Sequence, residues 1–244
     1  MMILEIERLT KSFGGLVALN AVTFHIEEGE ILGLIGPNGS GKSTVFNVVT
    51  GIYRASAGSI RFCGEDINAI PTHDIARRGI ARTFQLVKPF LHLSVLQNVM
   101  AGRLFGHDSS AGRIQAEDEA RELLSFIDLA DKHHLQARAL TVMERKRLDL
   151  ARALATRPKL LLLDEFMAGL TPSEVQDTMK LITTLRDRGM TIVVVEHIVR
   201  AIMNLCSRVV VLNAGQKIAD GTPGAVAKVP AVITAYLGKS YAGD

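Results

Sequence analysis

Two hydrophobic patterns divide the chain. Ile3 to Leu9 and Ala21 to Ile26 alternate apolar and polar positions, as half-exposed strands do, around the turn-forming Ser12-Phe13-Gly14-Gly15, and Glu28-Gly29 ends the second. They predict an antiparallel β unit. Ile31-Leu32-Gly33-Leu34-Ile35 is instead continuously apolar, the pattern of a strand covered on both faces of a mainly parallel sheet. Leu160 to Leu163, Thr191 to Val195 and Val209 to Leu212 repeat it. Between two of these runs, Thr171-Pro172-Ser173-Glu174 offers an N-cap, a proline at the first helical position and a capping-box acid, and Gly189 closes the helix. A strand-helix-strand crossover follows.

From Leu86 to Arg157 the period is helical, without strand-like runs: Ala120, Leu123, Leu124 and Ile127 share a face, and a second helix is expected around Leu148 to Leu154. The whole predicts one α/β domain over 1–244. Residues 1–85 and 158–244 form its core with an antiparallel β subdomain, and residues 86–157 an inserted helical subdomain.

Composition changes this picture little. With 244 residues, 48% of them hydrophobic, the chain can bury a sizeable core. A net charge of +3 from 28 basic and 25 acidic residues gives no bulk attraction for nucleic acid, and none is expected as a partner. Cys63 and Cys206 have no paired spacing, which argues against a disulfide framework or a zinc site; both read as small core residues in a reduced compartment. The opening MMILEIERLT carries acids inside its apolar run and reads as a strand rather than a signal peptide. No run approaches the roughly 18 apolar residues of a spanning helix, so membrane contact is expected through a partner.

The chemistry lies after the buried strands. Gly36-Pro37-Asn38-Gly39-Ser40-Gly41-Lys42-Ser43-Thr44 follows one of them and precedes the apolar-faced Val45 to Val49, the setting a phosphate-binding P-loop requires. Glycines there let backbone N–H groups curl around phosphate oxygens at a helix N-terminus, Lys42 reaches the β- and γ-phosphates, and Ser43 offers a hydroxyl to Mg²⁺. The fixed positions of the motif recur by chance in on the order of one chain in a hundred of this length. Leu160-Leu161-Leu162-Leu163-Asp164-Glu165 delivers two carboxylates to the sheet edge: Asp164 for Mg²⁺ and Glu165 to polarise the attacking water.

With these motifs in order along nearly the whole chain, the sequence resembles the ABC ATPases, and the fold it implies is a RecA-like P-loop core. The resemblance assigns Gln85 to sensing Mg²⁺ and the attacking water, His197 to the γ-phosphate, and Phe13 to stacking on adenine, with core packing the competing reading for Phe13. Ala168-Gly169-Leu170-Thr171 falls where two subunits meet. The other histidines, including His133-His134, read as surface residues. The family's LSGGQ signature corresponds here to Leu140-Thr141-Val142-Met143-Glu144. In the family that stretch caps the nucleotide of the opposite subunit. Thr141 keeps the hydroxyl, Met143 replaces a glycine that permits close approach, and Glu144 adds a negative charge. An altered site for the partner is the expectation. Arg145-Lys146-Arg147 reads as a solvated face with a local anion field rather than a nucleic-acid patch.

The wording Arg82-Thr83-Phe84-Gln85, then Leu93-Ser94-Val95-Leu96-Gln97-Asn98-Val99, is similar to the ATPases of branched-chain amino acid importers, as are the extra segment from Arg103 to Glu119 and the ending Ala235-Tyr236-Leu237-Gly238. The likeness is to the longer of that family's two ATPase types. It implies ATP and Mg²⁺ as cofactors, and peripheral attachment at the cytoplasmic face of the plasma membrane. Implied partners are integral-membrane permeases, a second ATPase subunit in a heterodimer (a homodimer for the chain alone), and indirectly an external solute-binding protein. Val87 to Leu93 would be where permease helices dock, ordinary packing being the alternative. The rivals are an ABC ATPase for another solute or lipid, a soluble one acting on DNA or ribosomes, and a catalytically idle regulatory subunit.

Overall fold

The computed structural model describes residues 1–85, 87–107 and 112–237; Leu86, residues 108–111 and Gly238 onward, parts of the stretches singled out above, fall outside them. β1 (Met2–Phe13) and β2 (Leu16–Glu27) pair antiparallel and run on to the Gly14-Gly15 turn, so Ser12 and Phe13 end a strand rather than form the turn. β3 (Ile31–Ile35) is buried throughout and leads into α1 (Lys42–Val49). β4 (Ala57–Phe62) and β5 (Glu65–Asp66) complete a four-stranded sheet in the order β2-β1-β4-β5. Then come α2 (Thr72–Arg78) and the short strand β6 (Ile80–Arg82).

The helices that follow are α3 (Val95–Phe105), α4 (Arg113–Phe126) and α5 (Val142–Ala155). α3 has no long apolar stripe, but Ser94 and Gln97 form a complete capping box at its start, a signal present in the sequence. α5 begins six residues before Leu148, where Thr141 caps it. β7 (Leu160–Asp164), α6 (Pro172–Asp187), β8 (Thr191–Val195), α7 (Val199–Leu205), β9 (Arg208–Asn213) and β10 (Gln216–Gly221) complete the sheet. Its order is β10-β9-β3-β8-β7-β6, parallel except for β10 at one edge.

The continuous apolar runs have a simple cause. Leu160, Leu162, Val193 and Val195 face one core, shared with α1 and the antiparallel sheet. Leu161, Leu163, Ile192 and Val194 face a second, under the buried sides of α6 and α7. Both faces of the strand are covered, so neither parity can be polar. A third cluster joins Val95, Val99, Ala120, Leu124, Leu148 and Ala151 of the three middle helices.

Cys206 is buried, and burial pushes its thiol up to about 12. Cys63 corrects the sequence reading: it is exposed, in the turn after β4, with φ 50°. In native protein one thiol per chain, Cys63, is therefore expected to react with a maleimide, Cys206 reacting only on unfolding. Mass analysis of Cys63→Ser, which should take no label while folded, checks this.

Candidate active site

The sheet order sets the C-terminal ends of β3, β8, β7 and β6 side by side, the edge at which α/β sheets hold ligands. The loop after β3 is shaped by two glycines at which any side chain would be strained, by positive φ and by close neighbours. A Cβ on Gly36 (φ 151°) would stand 2.1 Å from the Leu212 carbonyl oxygen, and one on Gly41 (φ 108°) would stand 2.6 Å from Leu19 Cδ2. Gly39 and Asn38 are exposed at the tip, Pro37 is half-buried, and Ser43 and Thr44 open α1. Ser40 Oγ is buried without a hydrogen-bond partner among the described residues. Lys42 donates to the carbonyls of Gly36 at 2.8 Å and Pro37 at 3.0 Å, so its ammonium lies folded across the loop. Burial pulls Lys42 below the ordinary lysine range, opposed by the charges of Glu165 and Asp164.

Asp164 ends β7 and is 7% exposed, against 8% for Arg82. The Arg82 guanidinium donates to Asp164 Oδ2 at 2.6 Å and to Asn47 Oδ1 of α1 at 2.6 Å, and lies over the rings of Phe46 and Phe84. Glu165 is held in the left-handed region at φ 49°, with its N–H donating to Val195 O at 2.8 Å. Gln85 Nε2 donates to its Oε2 at 2.5 Å, and His197 Nε2 lies 2.7 Å from its Oε1. Side chains following two strands, β6 and β8, thus converge on the carboxylate that follows β7 between them. Strain of this kind costs about 1–3 kcal/mol and persists where the surroundings enforce it.

Phe13 stands at the end of β1, 40% exposed, which sets core packing aside. Tyr53 meets its ring edge-on at 5.1 Å and Lys11 Nζ lies 4.8 Å above it. The sequence pattern had no signal for Tyr53, because the contact joins β1 to a turn after α1.

Thr141, Val142, Met143 and Glu144 are not brought to this cluster. Among the described residues, none of them lines the cleft shared by Ser43, Gln85 and Asp164. Val142 is 73% exposed, and the Thr141 hydroxyl accepts the Glu144 N–H at 3.3 Å. The Glu144 carboxylate is not a loose charge. It is paired with Lys132 and accepts the Thr141 N–H at 2.9 Å, and chiefly the Lys132 hydrogen bond holds it below the usual carboxylate range. Lys146 overturns the solvated-face reading of its basic run: it is buried, donating to Phe166 O at 2.9 Å and Ala168 O at 2.5 Å. Arg145 is turned back onto Arg138 O, and Arg147 onto Ile127 O and Asp128.

A glycine-shaped backbone loop with a lysine suits phosphate. The hydroxyl, carboxamide and carboxylate that share the cleft are oxygen donors of the kind a hard divalent cation takes.

The comparisons agree with that chemistry. The ABC transporter family model matches residues 19–168. The chain is 39% identical to the high-affinity branched-chain amino acid transport ATP-binding protein BraF of Pseudomonas aeruginosa, over 98% of each chain. It is 38% identical to LivG of Escherichia coli, described in the same words, again over 98% of each. It is also 38% identical, over 99% of each, to the lipopolysaccharide export system ATP-binding protein LptB of Haemophilus influenzae. A crystal structure of the ADP conformation of an ATP-binding cassette of an ABC transporter superposes with a TM-score of 0.87 at 31% identity, covering 98% of this chain and 100% of that one. The chain belongs to the ABC transporter family, as an ATP-binding subunit whose ATPase activity is coupled to transport.

Proposed function

We infer that this chain powers uptake of branched-chain, hydrophobic amino acids, from the cytoplasmic face of the plasma membrane where it sits as a peripheral subunit. The likeness to BraF and LivG over nearly the whole of each chain carries the reading. The Arg82-Thr83-Phe84-Gln85 and Leu93 to Val99 wording supports it. The identity to LptB, 38% as for LivG, favours a second reading, in which the work done is lipopolysaccharide export.

In the proposed site, the backbone N–H groups of the 36–44 loop and Lys42 cradle the phosphates of ATP while Phe13 stacks on adenine. Ser43, Gln85 and Asp164 would hold Mg²⁺, which supplies positive charge at the phosphate oxygens. Glu165 accepts the proton of the attacking water, and His197 and Gln85 orient it. Thr141 to Glu144 serve the nucleotide of a second ATPase subunit, in a heterodimer within the transporter or a homodimer of the chain alone. The separate apolar cluster of the middle helices supports residues 86–157 as a subdomain set on a core of 1–85 and 158–244. Ser43, Gln85 and Asp164 line the same cleft as Phe84, Phe90 and Phe105, all three of them exposed aromatics, which supports seating a permease segment beside Gln85.

Isolation of the chain from its native membrane with its bound partners tests the cargo. Permeases and a solute-binding protein that takes leucine, together with ATPase activity raised by the leucine-loaded binding protein, are expected. Co-isolation with lipopolysaccharide, and ATPase activity unmoved by leucine, would instead establish the export reading.

A further inference from the structure

α5 reaches Glu165 from two directions. Lys146 in its second turn donates to Phe166 O and Ala168 O, closing the turn directly after Glu165. Glu196 grips the same turn from the other side, its Oε1 accepting the Met167 N–H at 2.6 Å. Three residues along the same face of α5, buried Asp149 accepts the N–H of Phe84 at 3.3 Å, next to the Gln85 that donates to Glu165. Arg152 holds the other Asp149 oxygen at 3.2 Å and also donates to Lys88 O.

The helix is itself shared between cores. Leu148 and Ala151 pack into the helical cluster, and Leu150, Ala153 and Leu154 into the cluster under the parallel sheet. Its N-terminus is the capped Thr141 to Glu144 stretch, exposed at Thr141 and Val142. A rigid helix anchored in this way moves as a unit, and carbonyls bound to a buried ammonium follow it, because a lost partner would leave the charge unpaired in the interior. Burial lowers the affinity of Lys146 for its proton, while the nearby Glu196 and Glu165 carboxylates oppose that.

We propose that Lys146, seconded by Asp149, is a positioning residue that fixes where Glu165 stands, so that α5 transmits a displacement of its exposed N-terminus to the hydrolytic carboxylate. The inference rests on reading Glu165 as the group that polarises the attacking water. A helix-borne grip of this kind links the face that meets a second subunit to the chemistry of the chain's own site, without any residue of α5 touching ATP there.

The test compares Lys146→Met, Lys146→Arg, Glu165→Gln and the Lys146→Met/Glu165→Gln double variant in the assembled transporter. It reads single-turnover hydrolysis, the ATP dissociation constant and the unfolding midpoint. Misplacing a reacting group by about an ångström costs on the order of 10²-fold in rate, so Lys146→Met should lower kcat by about that factor with ATP affinity unchanged. Lys146→Arg should recover most of the rate, and Lys146→Met should cost nothing further when combined with Glu165→Gln. If Lys146→Met does not fold, Lys146→Gln, which keeps an amide donor, takes its place.

The proposal is overturned by wild-type kcat in the Lys146→Met variant, by parallel losses of rate and ATP affinity, or by an undiminished loss on the Glu165→Gln background. Wild-type turnover in Glu165→Gln would remove the reading of Glu165 itself, an outcome the Lys146 variants cannot produce, and the two failures are thereby distinguished.

Discussion

Glu165→Gln is expected to lower turnover by about 10²–10⁴-fold, the usual contribution of a positioned general base, while ATP still binds. The substitution conserves shape. The carboxamide keeps an oxygen that can accept from Gln85 Nε2, and its amine can face His197 Nε2, so both groups now bonded to the carboxylate retain a partner. The left-handed backbone at φ 49° costs Gln what it costs Glu. Lys42 and Ser43 open α1 and the glycine-shaped loop joins it to β3, so their backbone is untouched. What disappears is the capacity to take a proton from water. Removing one negative charge beside the triphosphate also lessens repulsion, so ATP affinity should hold or rise. Equilibrium nucleotide binding together with phosphate release distinguishes this from misfolding, which would lower both. Phosphate release at the wild-type rate would withdraw Glu165 from the mechanism.

How much of this was legible in the sequence depends on the distance over which each feature is encoded. The loop from Gly36 to Thr44, the Asp164-Glu165 pair and the start of α6 are local. Each is written in fewer than about ten consecutive residues, and the physics that needs them, phosphate nesting or helix capping, acts over the same span. The doubly covered strands were legible for a related reason, since burial on both faces leaves no polar parity.

Partnerships set by tertiary register were not legible. Arg82 meets Asp164 because β6 pairs parallel with β7, Ile80 beside Leu160 and Arg82 beside Leu162, and no periodicity announces that alignment. Lys146 sits among basic neighbours that resemble a solvated face; only the turn at Phe166 to Ala168 makes a burial site for it. Glu144 read as a free charge near an anion because its cation, Lys132, comes from a separate turn. Cys63 read as core on residue type alone, whereas its neighbour Gly64 and its own positive φ put it in a turn.

Arg82→Met should produce the largest loss of stability. The pair it breaks is almost wholly buried, 8% and 7% exposed, and the guanidinium is forked, one arm on Asp164 and the other on Asn47. Removing one partner of such a pair strands a carboxylate in the interior and typically costs 3–5 kcal/mol, far above the ~0–1 kcal/mol of an exposed pair. Methionine fills much of the space against Phe46 and Phe84, so the penalty comes from charge rather than from a cavity. At roughly 2–4 °C per kcal/mol for a chain of this size, the unfolding midpoint should fall by about 6–20 °C. Arg82→Met with Asp164→Asn should recover a large part of that loss, since a carboxamide needs no counter-charge, whereas two independent losses would add. Thermal unfolding of the two single variants and the double decides between these. A midpoint within about 2 °C of wild type in Arg82→Met would mean that desolvation of the guanidinium already cancels its attraction to Asp164. The buried Arg82 Nε, which has no hydrogen-bond partner among the described residues, counts toward that cost. A recovery in the double variant would assign the loss to the stranded carboxylate.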